Sequence, residues 1–182
     1  MSDHRILGID PGLHVTGYGV LEVGPLRVVE AGIISSGSGS KTKDIAVRLA
    51  LLYNGIVEVI EQFQPKSVAV EQLYAHYQHP RTAILMGHAR GAILLAAAQR
   101  ELPVVSYNAT TIKKTIAGSG RASKEQVQRT VARELGLAKL PEPVDVTDAL
   151  AVALCHHYLS RGLGFQPDKR GMRVRWKPNP RK

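Results

Sequence analysis

Apolar residues along this chain follow a period of two at first and a helical period later. The run "RILGID" at 5 to 10 is followed by "VTGYGVLEV" at 15 to 23 and "LRVVEAGIIS" at 26 to 35, parted by the turn signal Gly24-Pro25. These stretches predict a three-stranded antiparallel meander. "SSGSGSKTK" at 35 to 43 has the composition of a flexible connector inside one domain, because only 34 residues precede it. Ile45, Leu49, Leu52, Ile56, Val59, Ile60 and Phe63 then recur at helical spacing and predict a helix over about 44–64, ended by Pro65. "SVAVE" at 67 to 71 reads as a buried strand, followed by a loop, a helix over about 80–100 and a strand "PVVSY" at 103 to 107. Three more helices are expected at about 109–117, 124–135 and 145–160, the second opened by a Ser123…Gln126 capping box. Strands alternating with helices imply right-handed crossovers and parallel pairing beside the first strand. The expected fold is therefore α/β: a central five-stranded mixed sheet, a three-stranded meander plus two parallel strands, flanked by helices.

Length and charge narrow the picture. With 182 residues and 44% hydrophobic content the chain suits one substantial domain, expected at 1–165, followed by a basic tail at 166–182. The formal charge of +9 is uneven, since residues 169–182 hold seven Lys/Arg and no acid, leaving 17 cations against 15 acids elsewhere. That distribution points to a polyanionic partner. A single cysteine, Cys155, excludes an internal disulfide and a multi-cysteine zinc site, and fits a reducing compartment. The N-terminus lacks the apolar core of a secretory signal, and the longest apolar run, "AILLAAA" at 92 to 98, is far below the ~18 residues that span a bilayer. A cytoplasmic protein with no membrane partner is expected.

Candidate chemistry centres on four carboxylates. Asp10 ends the first predicted strand and Glu71 ends the fourth, so parallel neighbours would bring both to the carboxyl edge of the sheet, where open α/β folds build their sites. Asp145 and Asp148 stand at i, i+3 at the start of the last helix and share one face. Each acid alone has an ordinary explanation as a turn residue, a strand end or a cap. Together they would repel one another and raise their pKa values unless divalent cations intervened. Oxygen ligands without an obligatory cysteine or histidine suit Mg²⁺ or Mn²⁺ better than zinc. His76, His79, His156 and His157 are read as core or surface residues rather than ligands.

Two further segments carry recognition chemistry. Lys113, Lys114 and Lys124 surround "AGSGRASK", a glycine-rich turn running into a helix N-terminus, where backbone N–H groups and lysines favour phosphate. The loop "YAHYQHPR" at 74 to 81 places Tyr74 and Arg81 just after Glu71, with Tyr74 a wedge or stacking platform for unpaired or distorted bases.

Across about residues 5 to 160 the sequence resembles the RuvC family of Holliday-junction resolvases, within the RNase H-like nuclease superfamily. "GIDPGLHVTGYGV", "SVAVEQLY", "GHARGAILLAA", "IKKTIAGSGRASKEQVQ" and "DVTDALAVALCHH" carry the likeness, in the same order of elements. The resemblance implies catalytic and metal-binding acids at Asp10, Glu71, Asp145 and Asp148, junction-contacting lysines at Lys113 and Lys124, and an aromatic contact at Tyr74. It also implies Mg²⁺-dependent hydrolysis of four-way junction DNA with two ions per site, Mn²⁺ substituting, in recombination and repair. A two-fold homodimer fits a substrate needing two symmetric nicks, and "TAILMGHARGAILLAAA" is apolar over most of its faces, as a core and dimer helix would be. RuvA and RuvB are the partners that the resemblance suggests. Two other classes compete: an actin-like ATPase fold, which also sets an Asp before a glycine turn, and a catalytically idle DNA-binding module.

Overall fold

A computed structural model of the protein describes residues 4–37, 44–73 and 80–163. Strands β1 (His4–Asp10), β2 (Val15–Val23) and β3 (Arg27–Ser35) form the antiparallel meander, and β4 (Ser67–Glu71) and β5 (Val104–Tyr107) join β1 in parallel, giving the sheet order β3-β2-β1-β4-β5. Helices α1 (Ile45–Phe63) and α2 (Pro80–Ala98) cover one face. Helices α3 (Ala109–Ala117), α4 (Lys124–Glu134) and α5 (Val144–Leu163) cover the other. The expected mixed five-stranded sheet is thus the observed one.

Local chemistry sets the helix ends. Asp44 caps α1 by accepting from Ala46 N–H at 2.8 Å, and Gln64 closes it in the left-handed region before Pro65. Asn108 caps α3, and the Ser123–Gln126 capping box opens α4 as its sequence predicts. Two helices depart from expectation. Helix α2 stops at Ala98 rather than near Arg100, because Glu101 turns left-handed (φ 55°) and Leu102 N–H donates back to the Ala97 carbonyl at 3.1 Å, a closure that Pro103 then makes final. Helix α5 continues past 160 to Leu163.

The two cores explain why the sheet is buried on both faces. In β1, Leu7 and Ile9 pack toward α1 and α2 while Ile6 packs toward α5; in β4, Val68 and Val70 face the first layer and Ala69 the second. A parallel strand covered on both sides reads as a continuous apolar run, as "ILGI" and "SVAV" do. Along α5 the buried stretch from Ala149 to His157 faces β1, β2 and β4 with hardly any polar side to show.

Candidate active site

The alternation of side chains along β1 and β4 decides where their terminal acids go. Leu7 and Ile9 lie on the α1/α2 face, so Asp10 falls with Ile6 and Gly8 on the α5 face. The same counting from Val68 and Val70 puts Glu71 with Ser67 and Ala69, and Ser67 does touch α5, its Oγ lying 3.1 Å from His156 Nε2. Ile9 pairs with Val70, so the next residue on each strand, Asp10 and Glu71, leaves the sheet beside its neighbour.

Helix α5 brings the other two acids to that edge by lying unusually close to the strands. A Cβ on Gly17 would stand 2.0 Å from the Asp145 carbonyl oxygen, and one on Gly8 would stand 2.3 Å from the Ala149 carbonyl oxygen and 2.6 Å from Ala153 N. Only glycine permits this approach. Since Asp10 pairs with Gly17 across β1 and β2, the strand position opposite one acid seats the helix turn that carries another. Asp145 and Asp148 then share the first two turns of α5 above the carboxyl edge.

The electrostatics follow from that crowding. Burial pushes the Asp10 carboxyl up to about 7, helped by the charges of Glu71, Asp148 and Asp145 and opposed by Lys124. Glu71 is raised by burial and then by Asp148, with Lys124 and Lys113 opposing. Lys124 Nζ meets Asp148 Oδ2 at 2.7 Å, and that contact raises the lysine's own pKa. Glu71, Asp148, Lys113 and Lys124 line one cleft of about 190 Å³ with Ile112 and Val127 among its apolar wall. The acids interact, yet among the described residues no three His, Cys, Asp or Glu side chains form a ready-made metal cage.

Other residues singled out by the sequence are placed variously. Lys114 is exposed in the last turn of α3 and does not line the cleft. Arg81 is exposed in the first turn of α2. Tyr74, with His76 and His79, lies outside the described residues, as does the tail from 164 onward. His156 and His157 are core residues; Tyr107 Oη lies 2.8 Å from His156 Nδ1, and burial pushes the imidazole pKa down to about 4, so it stays neutral.

The chain matches the profile of the family described as crossover junction endodeoxyribonuclease RuvC over residues 6–156. The chain belongs to the RuvC family. Among curated members, the RuvC of Rhodopirellula baltica is 49% identical over 157 residues, covering 85% of this chain and 86% of that one. The RuvC of Moorella thermoacetica is 49% identical over 153 residues, covering 83% and 89%. Among solved structures, Thermus thermophilus RuvC in complex with a Holliday junction substrate superposes with a TM-score of 0.80 at 34% identity, covering 87% of this chain and 96% of that one. The yeast mitochondrial Holliday junction resolvase Ydc2, at 12% identity and a TM-score of 0.58, shares the fold.

Within this RuvC chain, reading the sequence alone missed two features of the site. The first is the seating role of Gly8 and Gly17, which a lone sequence shows only as glycines inside strands, a signal of close backbone approach. The second is Arg48, buried on α1 at a position where the apolar stripe through Ile45 and Leu52 calls for a hydrophobe. A charged residue in an apolar stripe was the available signal.

Proposed function

We propose that the protein is a structure-selective endonuclease that resolves four-way DNA junctions by paired symmetric nicks, with Asp10, Glu71, Asp145 and Asp148 as its catalytic, metal-holding residues. The observation that carries this reading is the meeting of β1, β4 and the start of α5 at one sheet edge, each bearing acids, next to Lys113 and Lys124. Membership of a family of crossover junction endodeoxyribonucleases and the likeness to a junction-bound RuvC support the substrate.

Partly buried carboxylates that repel one another are a donor set for hard divalent cations, Mg²⁺ with Mn²⁺ as substitute, two per site. Such ions, when bound, supply the positive charge that phosphodiester hydrolysis needs and a more acidic water. Asp10, fixed at a strand end, would be one donor, with Glu71, Asp145 and Asp148 completing the set. Lys113 and Lys124 hold the phosphate at the cleft, and Lys114, Arg81 and Tyr74 extend the contact to flanking DNA. Hydrolysis joins a water oxygen to phosphorus and releases the 3′ oxygen, which leaves with a proton as a hydroxyl, so the ends are a 5′-phosphate and a 3′-hydroxyl.

Two nicks on a near two-fold junction call for two copies. In support, α2 exposes Ile84 (60%) and Leu95 (52%) on a face it shares with Gly87 and Gly91, both open to close approach. We read this face as the homodimer contact. RuvA and RuvB are the partners that family membership suggests, residues 1–165 the nuclease domain, 166–182 a cationic arm, and the cytoplasm its location. No helix among the described residues is long and apolar enough to cross a membrane.

The test is direct. Labelled four-way junction and linear duplex are incubated with Mg²⁺ or with EDTA. Paired nicks in the junction with Mg²⁺ alone are expected; equal cutting of both substrates, or cutting in EDTA, would sink the reading.

A further inference from the structure

Three of the buried polar side chains in this protein converge on one short turn, residues 12–14, directly after Asp10. Thr16 Oγ1 donates to the Gly12 carbonyl at 2.7 Å and accepts from Gly12 N–H at 3.2 Å. Ser36 N–H donates to the His14 carbonyl at 3.1 Å, and its hydroxyl donates to the Leu13 carbonyl. Arg48 Nη2 donates to that same Leu13 carbonyl at 2.9 Å, across 35 residues of sequence. The Leu13 side chain meanwhile inserts into the α1/α2 core.

Arg48 is the costly member of this clamp. Its exposure is 9%, and its Nε is buried with no hydrogen-bond partner among the described residues. It sits in the first turn of α1, where the helix dipole disfavours a cation, and in a stripe where an aliphatic side chain would pack without desolvating a charge. Stability alone does not favour an arginine here. Its reach does: from α1 it spans to the turn, two residues downstream of Pro11 and three of Asp10, and proline's fixed φ transmits a displacement rather than absorbing it.

We propose that Arg48 is a positioning residue for the nuclease reaction, holding the Asp10 carboxylate in register with Glu71 and the α5 acids through its bond to the Leu13 carbonyl. The role rests on the reading of Asp10 as a metal-holding residue. Ser36 is its companion on the same carbonyl, and Thr16 fixes the preceding residue. A loosened turn leaves the DNA-contacting lysines on α3 and α4 untouched, so binding and catalysis should separate.

The experiment uses the full chain with Arg48→Gln, Arg48→Lys and Ser36→Ala, and Asp10→Asn as reference. Single-turnover cleavage, junction affinity in EDTA, and Mn²⁺ affinity without DNA by electron paramagnetic resonance are measured on each. Arg48→Gln should lower the cleavage rate about tenfold or more with junction affinity within about twofold, in keeping with the sensitivity of catalysis to small misplacements. It should also weaken Mn²⁺ binding in the direction of Asp10→Asn. Arg48→Lys, which keeps a donor and the charge, should recover most of both, and Ser36→Ala should show a smaller loss of the same kind. A folded Arg48→Gln with wild-type rate and Mn²⁺ affinity overturns the proposal, as does an Arg48→Lys no better than Arg48→Gln. Should Arg48→Gln fail to fold, an Ser36→Ala variant unchanged in both readouts overturns it. If Asp10→Asn binds Mn²⁺ like the wild type, the carboxylate site itself is refuted, and the Arg48 role falls with it.

Discussion

Replacing Gly17 by alanine tests whether the seating of α5 on the strands governs both stability and catalysis. The added methyl would stand 2.0 Å from the Asp145 carbonyl oxygen and 2.5 Å from its carbonyl carbon, where ordinary contact begins near 3.4 Å. Both obstacles are backbone, so no side chain can rotate out of the way, and the helix end must retreat by about 1.4 Å, the difference between required and available separation. Overpacking of this kind costs about 3 kcal/mol, the upper part of the usual range. The retreating turn carries Asp145 and Asp148, and a shift near 1 Å in reacting groups costs roughly a hundredfold in rate. Urea unfolding and single-turnover junction cleavage, measured below the variant's unfolding transition, report the two effects separately. A Gly17→Ala protein within about 0.5 kcal/mol of wild type and cleaving within about threefold of its rate would refute the idea that this contact places the α5 acids.

Further outcomes follow from the same geometry. Asp10→Asn, Glu71→Gln, Asp145→Asn and Asp148→Asn should each remove cleavage by about a hundredfold or more while junction binding persists, and a variant cutting near the wild-type rate excludes that residue from the site. Asp10→Asn should also stabilise the metal-free fold at pH 8. The folded carboxyl titrates at about 7 against 3.8 in the unfolded chain, so its stabilising contribution is complete below 3.8 and lost as pH rises through 7. The loss is at most about 4 kcal/mol, and a difference in unfolding free energy between variant and wild type that does not shrink toward pH 4 would contradict it. His156 acts in the opposite sense: its folded pKa of about 4 lies below 6.5, so its contribution is present above 6.5 and lost as pH falls toward 4, by up to about 3 kcal/mol. His156→Gln should flatten that part of the stability profile, and an unaltered slope would assign it elsewhere. Deleting residues 169–182 should lower affinity for junction and duplex alike and reduce the salt slope by about 0.9 per lost phosphate contact; an unchanged slope removes the tail from DNA.

Much of this was legible in the sequence, and what was not has a common cause. Strand period, helix period and caps are local, so "SVAVE" and the Ser123–Gln126 box gave element and boundary together. Asp10 and Glu71 were readable as neighbours because parallel pairing is a topological rule rather than a contact. By contrast, the fit of Gly17 under Asp145 depends on two backbones 128 positions apart, and no local pattern encodes it. The same holds for His156 on α5, whose partners Ser67 and Tyr107 come from two strands. Lys114 shows the limit from the other side, since adjacent lysines in one motif point differently around α3, and only Lys113 reaches the cleft wall.

The arrangement also explains how one sheet edge accommodates both a cluster of acids and a polyanion. Helix α1 begins beside the Leu13 turn, α3 directly after Tyr107, α4 at the lysine that meets Asp148, and α5 at Asp145. All four therefore begin near the carboxyl edge, where their positive N-terminal ends are felt. At α1 the Asp44 cap offsets that field, and the first turn of α3 holds no acid. The first turns of α4 and α5 carry Glu125 and Asp145. On the proposed reading, positive helix ends with Lys113 and Lys124 would draw phosphate to the rim, and the carboxylates would draw divalent cations to the centre. Charge reversal at Lys114 or Arg81, which do not line the cleft, should consequently weaken DNA binding without touching the carboxylates, whereas neutralising the centre should do the reverse. That separation is what a nuclease needs if it is to bind a junction by shape and cut it only where the carboxylates lie.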